Sequence, residues 1–396
     1  MGASKLPPHD RVAASESIRR RAQELGFDRV GIAPAKPPPN AAYFLAWLER
    51  GYAGEMKFMG RPDSVRRRLD PRQALPAARA ILCVAMNYHN ADDGPTDTPS
   101  RPVIARYARG ADYHAVFEEK LQQLAQSLSE FGCGGAQTRC YVDYGPVLER
   151  DHAQRAGLGW IGKNTMLINP EIGSYLFLGV ILTDADLEFD AAFLPDHCGT
   201  CDRCLTACPT GAIRSPRDLD SRLCISYLTI ELRGPIPREL RPFIGNRVFG
   251  CDICQEVCPW NRGVPTTKEP RLEPREGTTG PELIELLGLT EDRFKQRFGD
   301  TPIARTKRRG FLRNVAVALG NWGAPSVVPP LIRALDDEEP LVRGHAAWAL
   351  GRAGGPTAHR GLEDRLRLEE DDWVQSEIRQ ALASMSQADS QSEKFG

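Results

Sequence analysis

The chain has 396 residues, with 51 Lys and Arg against 52 Asp and Glu and a net charge of −1, enough length for roughly two or three domains and no global excess of either sign. Any nucleic-acid surface must therefore be a local patch, and the length excludes a small electron-carrier ferredoxin. The N-terminal MGASKLPPHDRVAASESIRRRAQELGF has no apolar core for a signal peptide, and no stretch elsewhere approaches a membrane span, which predicts a cytoplasmic protein with no membrane contact.

In chain order, residues 15–26 read as a helix with Ser15 as N-cap and Gly26 as its stop, ahead of RVGIA as a strand. A second helix covers AAYFLAWLERG. After a basic stretch, Arg66 to Arg68 and Arg72, the apolar run at 79–88 predicts a buried strand. From Asp112, the residues Phe117, Leu121, Leu124, Leu128 and Phe131 recur on one helical face, and Gly132 ends it. Strands are expected near 137–144 (QTRCYVDY) and 174–184 (SYLFLGVILTD), so residues 1–190 read as one α/β domain.

Between those strands lies GPVLERDHAQRAGLGWIGKNTMLINPEIG, in which Gly157, Gly159, Gly162 and Lys163 mimic a dinucleotide-binding loop. Such a loop should follow a strand and open a helix. Here helix-like LERDHAQRAG precedes and strand-like sequence follows, so the glycines are expected to let backbone pass close to a bulky flat ligand, with Lys163 and Asn164 as polar contacts.

Eight of the chain's 11 cysteines fall between Cys198 and Pro259. Cys198, Cys201, Cys204 and Cys208, followed by Pro209, have the x2-x2-x3-Pro spacing of a bacterial ferredoxin cluster loop. The second run, Cys251, Cys254 and Cys258 before Pro259, lacks its first ligand, because Val248 stands there. In two-cluster ferredoxins the fourth cysteine of each run ligates the other cluster. Cluster one should then take Cys198, Cys201, Cys204 and Cys258, and cluster two Cys208, Cys251 and Cys254 with Cys224 of CISYL as fourth ligand. Zinc sites use paired x2 hooks and disulfides need an oxidising compartment, so two 4Fe-4S clusters fit best. Residues 191–265 are read as the ferredoxin-like domain, and Cys83, Cys133 and Cys140 as small buried hydrophobes.

Residues 262–280 are rich in Pro, Gly and charge, and a short helical pair follows around 281–298, so 266–300 is taken as linker and helices. FLRNVAVALGNWG, LVRGHAAWALGRAG and WVQSEIRQALASM then align with Leu319, Leu350 and Leu382 in register. A further helix with Val328, Leu331, Ile332 and Leu335 separates the first two copies. This predicts a short α-solenoid of the HEAT class over 301–390. Arg305, Lys307, Arg308, Arg309 and Arg313 cluster at its start, either as a solvated face or as a phosphate-binding edge.

The order of VDYGPVLERDHAQRAGLGWIGKNTMLI, the broken double ferredoxin motif with its extra cysteine, and a HEAT-like tail closely resembles the epoxyqueuosine reductase family over nearly the whole chain. The resemblance implies that the α/β domain binds cobalamin in a base-off form and that the substrate is the epoxide-bearing wobble base of tRNA, reduced to queuosine. Removing an epoxide oxygen takes two electrons, and a 4Fe-4S cluster delivers one at a time. Two clusters and a corrin therefore form a relay from an external low-potential donor, and an acid must protonate the leaving oxygen. By the resemblance that donor is Asp143, where a desolvated site against the corrin and substrate is expected to raise its pKa; as an ordinary residue it would cap the helix after it. The corrin contacts implied are Arg68, Asp143, Lys163, Asn164, Thr165, Met166 and Ser226, and the chain is expected to act as a monomer. A corrinoid reductive dehalogenase is the alternative enzyme, although Arg19-Arg20 is followed by no apolar export segment. An electron carrier or scaffold is the non-enzymatic alternative.

Overall fold

The computed structural model describes residues 8–90, 98–279 and 281–395, and side chains over 10–90, 98–279 and 281–387. Residues 1–7, the start of the stretch read for a leader, and Gly280, the end of the stretch read as a linker, lie outside them. The chain divides into two units drawn from separated stretches, residues 1–91, 110–222 and 252–273 in one and 92–109, 223–251 and 274–396 in the other.

The first unit is built on a four-stranded antiparallel sheet in the order Arg29–Pro34, Ala80–Asn87, Leu176–Thr183, Thr138–Tyr141. Ala80–Asn87 is buried at every position, which is why it reads as an unbroken apolar run: it has a strand on each side and is covered on both faces. Tyr113–Ser127 lies over one face, where Phe117 and Leu121 approach so closely that a Cβ on Gly179 would meet them at 2.9 and 3.1 Å. The short helix Glu149–Arg155 covers the other face, sharing a core of Cys83, Ala85, Ala153, Ala156 and Val180. Gly31 permits this approach, since a Cβ there would lie 2.0 Å from the Ala156 carbonyl oxygen.

Two local expectations change. The first helix runs Pro8–Glu24, so Ser15 is an interior residue and not its cap: its Oγ donates to the Arg11 carbonyl at 2.9 Å and accepts the Glu188 N–H at 2.8 Å. The helix from Asp112 ends at Ser127, before Phe131, which is half-buried. Asp112 does cap that helix, accepting the His114 N–H at 3.0 Å. The basic stretch around Arg66 forms a helix of its own, Pro62–Leu69, with Pro at its first turn.

In the second unit, Val103–Ile104 pairs in parallel with Arg247–Phe249, and the expected short helical pair is Leu283–Leu287 and Glu291–Phe298. The solenoid follows as Lys307–Trp322, Val328–Ala334, Pro340–Ala353, Pro356–Leu366 and Asp372–Phe395. Leu319 and Leu350 are fully buried, while in the third copy Ala381 takes the buried place and Leu382 is half-buried.

Arg313 leaves the predicted basic edge altogether. It is 1% exposed and its guanidinium donates to the carbonyls of Leu228, Leu232 and Gly234 at 2.6, 2.8 and 2.8 Å. Its neighbour Asn314 donates to the carbonyls of Thr229 and Val248, both at 2.8 Å. Charged and amide donors here satisfy buried backbone acceptors, so Arg313 serves packing and cannot reach a phosphate.

Candidate active site

The strand Thr138–Tyr141 leads into a tight turn at Asp143, whose φ of 54° lies in the left-handed region. The Tyr144 N–H closes back on the Val142 carbonyl at 2.5 Å, a three-residue turn that stores of order 1–3 kcal/mol of strain. Only glycine fits two residues on, because a Cβ on Gly145 would lie 2.4 Å from that of Tyr141. The Tyr113 phenol donates to Asp143 Oδ2 at 2.6 Å, and the Tyr113 ring stacks on Phe177 at 4.1 Å and on His114 at 4.2 Å. Asp143 therefore does not cap the helix after it, whose N-cap is Leu148 with no side-chain bond. Its side chain is 67% exposed.

A second carboxyl nearby is buried in the fold itself. Burial pushes Glu149 up to about 8, with the Asp143 charge next in effect, against smaller pulls from Arg150, the Asp143 N–H and Arg68. Arg68 is itself 4% exposed; it donates to the Gly145 carbonyl at 3.4 Å and to Ser64 Oγ. Burial lowers the Arg68 pKa, opposed by Glu149 and Asp143. Arg150 donates to the Thr165 carbonyl. Arg68, Asp143 and Thr165, read from distant parts of the sequence, thus meet around one end of Glu149–Arg155.

Trp160–Ile161 and Leu167–Ile168 form a hairpin with Lys163 to Met166 at its tip, and Thr165 there has φ 68°. The glycines of the false dinucleotide loop let the chain's own backbone approach closely: a Cβ on Gly159 would lie 2.1 Å from the Ile168 carbonyl oxygen, and one on Gly157 would lie 2.8 Å from that of Ala191. Lys163 Nζ donates to the carbonyls of Gly199 and Cys201 at 2.6 and 2.8 Å, and Asn164 Nδ2 to that of Cys254 at 3.3 Å. Both side chains are tied to the cysteine loops, and the Met166 N–H is taken by Asn164 Oδ1. Ser226 lies in the second unit, half-buried in the helix Ile225–Ile230 that begins just after Cys224.

Cys198, Cys201, Cys204 and Cys258 lie within electrostatic reach of one another. Burial raises the Cys204 thiol, and Cys198, Cys258 and Cys201 raise it further; Cys258 is raised by burial, then by Cys198 and Cys201. Four mutually close thiols that would repel as thiolates are the donor set an iron-sulfur cube neutralises. Trp160 Nε1 donates to Cys198 Sγ at 3.4 Å, and Trp160 meets Trp260 edge-on at 5.1 Å and stacks on Phe193 at 5.7 Å. Cys208 and Cys254 also belong to the first unit, and Cys224 and Cys251 to the second. Cys83 and Cys133 are buried and Cys140 half-buried, as small hydrophobes should be.

The basic edge is largely paired within the second unit. Arg305 bonds Glu231 at 2.7 Å, Arg308 bonds the Leu289 carbonyl and Asp337, and Arg309 lies 3.5 Å from Glu339. Lys307 is exposed. The residues that sequence reasoning missed are Tyr113 and Trp160, each fixed by a contact to a distant segment, and Glu149, whose carboxyl is buried by the fold around it.

Comparison with known proteins agrees with this geometry. A family model described as Epoxyqueuosine reductase QueG, DUF1730 matches residues 68–144, a 4Fe-4S double cluster binding domain matches 197–261, and HEAT repeats match 304–383. The epoxyqueuosine reductase of Pseudomonas aeruginosa is 44% identical over 361 residues, covering 89% of this chain and 98% of the relative. The crystal structure of an epoxyqueuosine reductase with an epoxyqueuosine-modified tRNA-Tyr stem loop superposes with a TM-score of 0.87 at 34% identity, covering 94% of this chain and 98% of that one. A Bacillus subtilis epoxyqueuosine reductase, with an aspartate-bearing catalytic loop swung out of the active site, gives 0.86 at 33% identity over 93% of this chain and 98% of that one. With the double-cluster domain, the HEAT tail and the turn-bearing segment at 68–144 all matched, and a relative of this identity aligned over nearly its full length, the chain belongs to the epoxyqueuosine reductase family.

Proposed function

We propose that this chain reduces epoxyqueuosine to queuosine at the wobble position of tRNA, with Asp143 as the proton donor. The observation that carries the assignment of the acid is the Asp143 turn: a solvent-facing carboxyl on strained backbone, steadied by the Tyr113 phenol. Strain of this kind at an exposed carboxyl suits a group that must be presented to a substrate. A relative has been crystallised with an epoxyqueuosine-modified stem loop, which supports the same substrate here.

Cluster one is assigned to Cys198, Cys201, Cys204 and Cys258 and cluster two to Cys208, Cys224, Cys251 and Cys254, all eight within the double-cluster match. The residues around Glu149–Arg155 fit cobalamin in part. Arg68 is a buried cation beside the acid turn, and Glu149 Oε1 is buried without a partner, whereas Lys163 and Asn164 already bond the carbonyls of the cysteine loops and have one side-chain donor each to spare. Cobalamin, when bound, supplies a strongly reducing metal centre for two-electron removal of the epoxide oxygen. The protein's own part is to hold that oxygen within reach of the Asp143 carboxyl, which donates the proton to the alkoxide as it leaves.

An external low-potential donor feeds the clusters, and the chain works as a cytoplasmic monomer; among the described residues no helix is long and apolar enough to cross a membrane. In the domain reading, residues 1–190 carry the corrin and the acid, 191–265 the clusters, 266–300 the connection and 301–390 the tRNA contact. Arg305, Lys307 and Arg309, the exposed members of the basic edge, hold phosphates. Purified protein, reconstituted with iron, sulfide and cobalamin and supplied with a chemical reductant, is assayed on an epoxyqueuosine-bearing anticodon stem loop. Formation of queuosine is the expected product; intact epoxide after full reduction of the cofactors contradicts the proposal.

A further inference from the structure

Between the strand Leu176–Thr183 and Cys198, residues 184–196 form no helix or strand, yet their path is fixed. The Glu188 N–H donates to Ser15 Oγ at 2.8 Å, the Asp190 N–H to the Ile32 carbonyl at 2.8 Å, and the Phe193 N–H to the Gln154 carbonyl at 2.9 Å. Asp190 Oδ2 accepts the Ile32 N–H in return at 2.7 Å. This strap holds two large apolar side chains out in solvent, Phe189 at 45% and Leu194 at 83% exposure. Ala191, Ala192 and Pro195 beside them are exposed as well. A lone apolar residue on a surface needs no explanation, but a run of them on backbone tied down at intervals is a patch. Phe193, between the two, turns inward. It packs with Trp160, Trp260, Cys198 and Cys258 in one apolar cluster and stacks on Trp160 at 5.7 Å. Cys198, Cys201 and Cys204 are only half-buried, and Gly199 and Thr200 are exposed. The patch thus runs directly into a cysteine loop that is open to solvent.

The charges differ between the strap and the loop. From Asp186 on, the acids of the strap are matched: Asp186 pairs with Arg79 at 2.7 Å, Glu188 with Arg11 at 3.0 Å, Asp190 with Arg19 at 2.9 Å, and Asp196 with Arg217. On the loop, Lys163 is held by the Gly199 and Cys201 carbonyls and not by a carboxylate. Arg203 and Arg262 are exposed, with no ion pair for either among the described residues, against Asp202 beside Arg203. The unmatched charge is therefore positive. We propose that the strap and these basic residues are the docking surface of the electron donor, and that the donor is an acidic one-electron carrier protein; the proposal rests on Cys198, Cys201, Cys204 and Cys258 holding the first cluster. A small reductant would have no use for exposed apolar side chains, whereas a carrier protein covers them while its carboxylates meet the arginines. Electron-transfer encounters bury less than ~1,200 Å² in all, so a patch of this extent is sufficient. Each encounter oxidises the carrier by one electron and reduces the cluster by one, and two in succession supply the pair that removal of the epoxide oxygen consumes.

Stopped-flow absorption of the reconstituted protein under anaerobic conditions tests the docking surface, with a purified, fully reduced flavodoxin as the acidic carrier and dithionite as the small reductant. Both should reduce the wild-type clusters, and the flavodoxin rate should fall as salt rises. F189S/L194S changes two solvent-facing side chains; it should lower the second-order rate with flavodoxin about tenfold and leave the dithionite rate unchanged. R203E/R262E should slow flavodoxin too and flatten its salt dependence. Four results overturn the proposal: a wild-type flavodoxin rate in F189S/L194S, an equal loss with dithionite in that variant, an unchanged salt dependence in R203E/R262E, or a wild type that dithionite reduces and flavodoxin does not. Iron content of C258A checks the cluster assignment separately. A full complement there removes Cys258 from the ligand set and leaves the docking rates standing.

Discussion

Tyr113 and Asp143 are 30 positions apart in sequence, yet the phenol of one donates to Oδ2 of the other at 2.6 Å. Tyr113 opens the helix capped by Asp112, so a helix start on one side of the unit fixes the orientation of an acid on another. Tyr113→Phe keeps the stacking on Phe177 and removes only the hydrogen bond. A bond to an ionisable partner contributes roughly 1.5–3 kcal/mol, so the single-turnover rate should fall by about tenfold to a hundredfold while cluster content is unchanged. An unaltered rate would mean that the bond does not steady the acid.

Trp160 donates its indole N–H to the Sγ of Cys198, a proposed ligand of the first cluster. Such a bond favours the reduced, more negative cluster, so its removal should make the cluster harder to reduce. Trp160→Phe, which keeps an aromatic ring against Phe193 and Trp260, should lower the potential by roughly 20–60 mV, the equivalent of one modest hydrogen bond in a one-electron couple. Redox titration followed by electron paramagnetic resonance reads the shift.

The ligand arithmetic gives about eight irons per chain in the anaerobically reconstituted protein. Cys224→Ala should lose one cluster and keep the other. Iron content unchanged in that variant would remove Cys224 from the ligand set.

Arg313 and the exposed basic residues should separate cleanly. Arg313→Ala leaves the buried Leu228 carbonyl and the part-buried carbonyls of Leu232 and Gly234 without their donor and should cost about 3 kcal/mol in stability. Neutralising Arg305, Lys307 and Arg309 together should leave stability nearly intact, weaken tRNA binding and flatten its salt dependence by about one unit of slope for each phosphate no longer neutralised. A wild-type slope in the triple variant would show that this edge, already facing Glu231, Asp337 and Glu339, is a solvated surface.

What the sequence reveals here is what is local. The cysteine runs carry their chemistry in spacing, and the helix after Asp112 and the repeat helices show their apolar stripes directly. Ser15 reads as a cap because the partner that satisfies its Oγ, the Glu188 N–H, lies 173 positions away. Arg313 stands in a run of exposed cations and gives no sign that its acceptors are carbonyls 79 to 85 positions earlier. The glycines from Gly157 to Gly162 announce a close approach correctly, but the close neighbours are the chain's own backbone at Ile168 and Ala191 and the Ile168 and Asn164 side chains. Nothing in LERDHAQ marks Glu149, because its burial depends on the fold around it.

The role of Asp143 is most directly tested by Asp143→Asn in single turnover, with the iron-sulfur and cobalamin absorption measured on the same sample. Asn is among the residues that best tolerate a positive φ, so the turn at 54° should survive the substitution. The amide can still accept from the Tyr113 phenol, but it is far too weak an acid to protonate an alkoxide. The variant should fold, hold both clusters and bind cobalamin, yet convert the epoxide on the order of a hundredfold more slowly or worse. A rate near that of the wild type, with the cofactors present, would contradict the assignment of Asp143 as the acid.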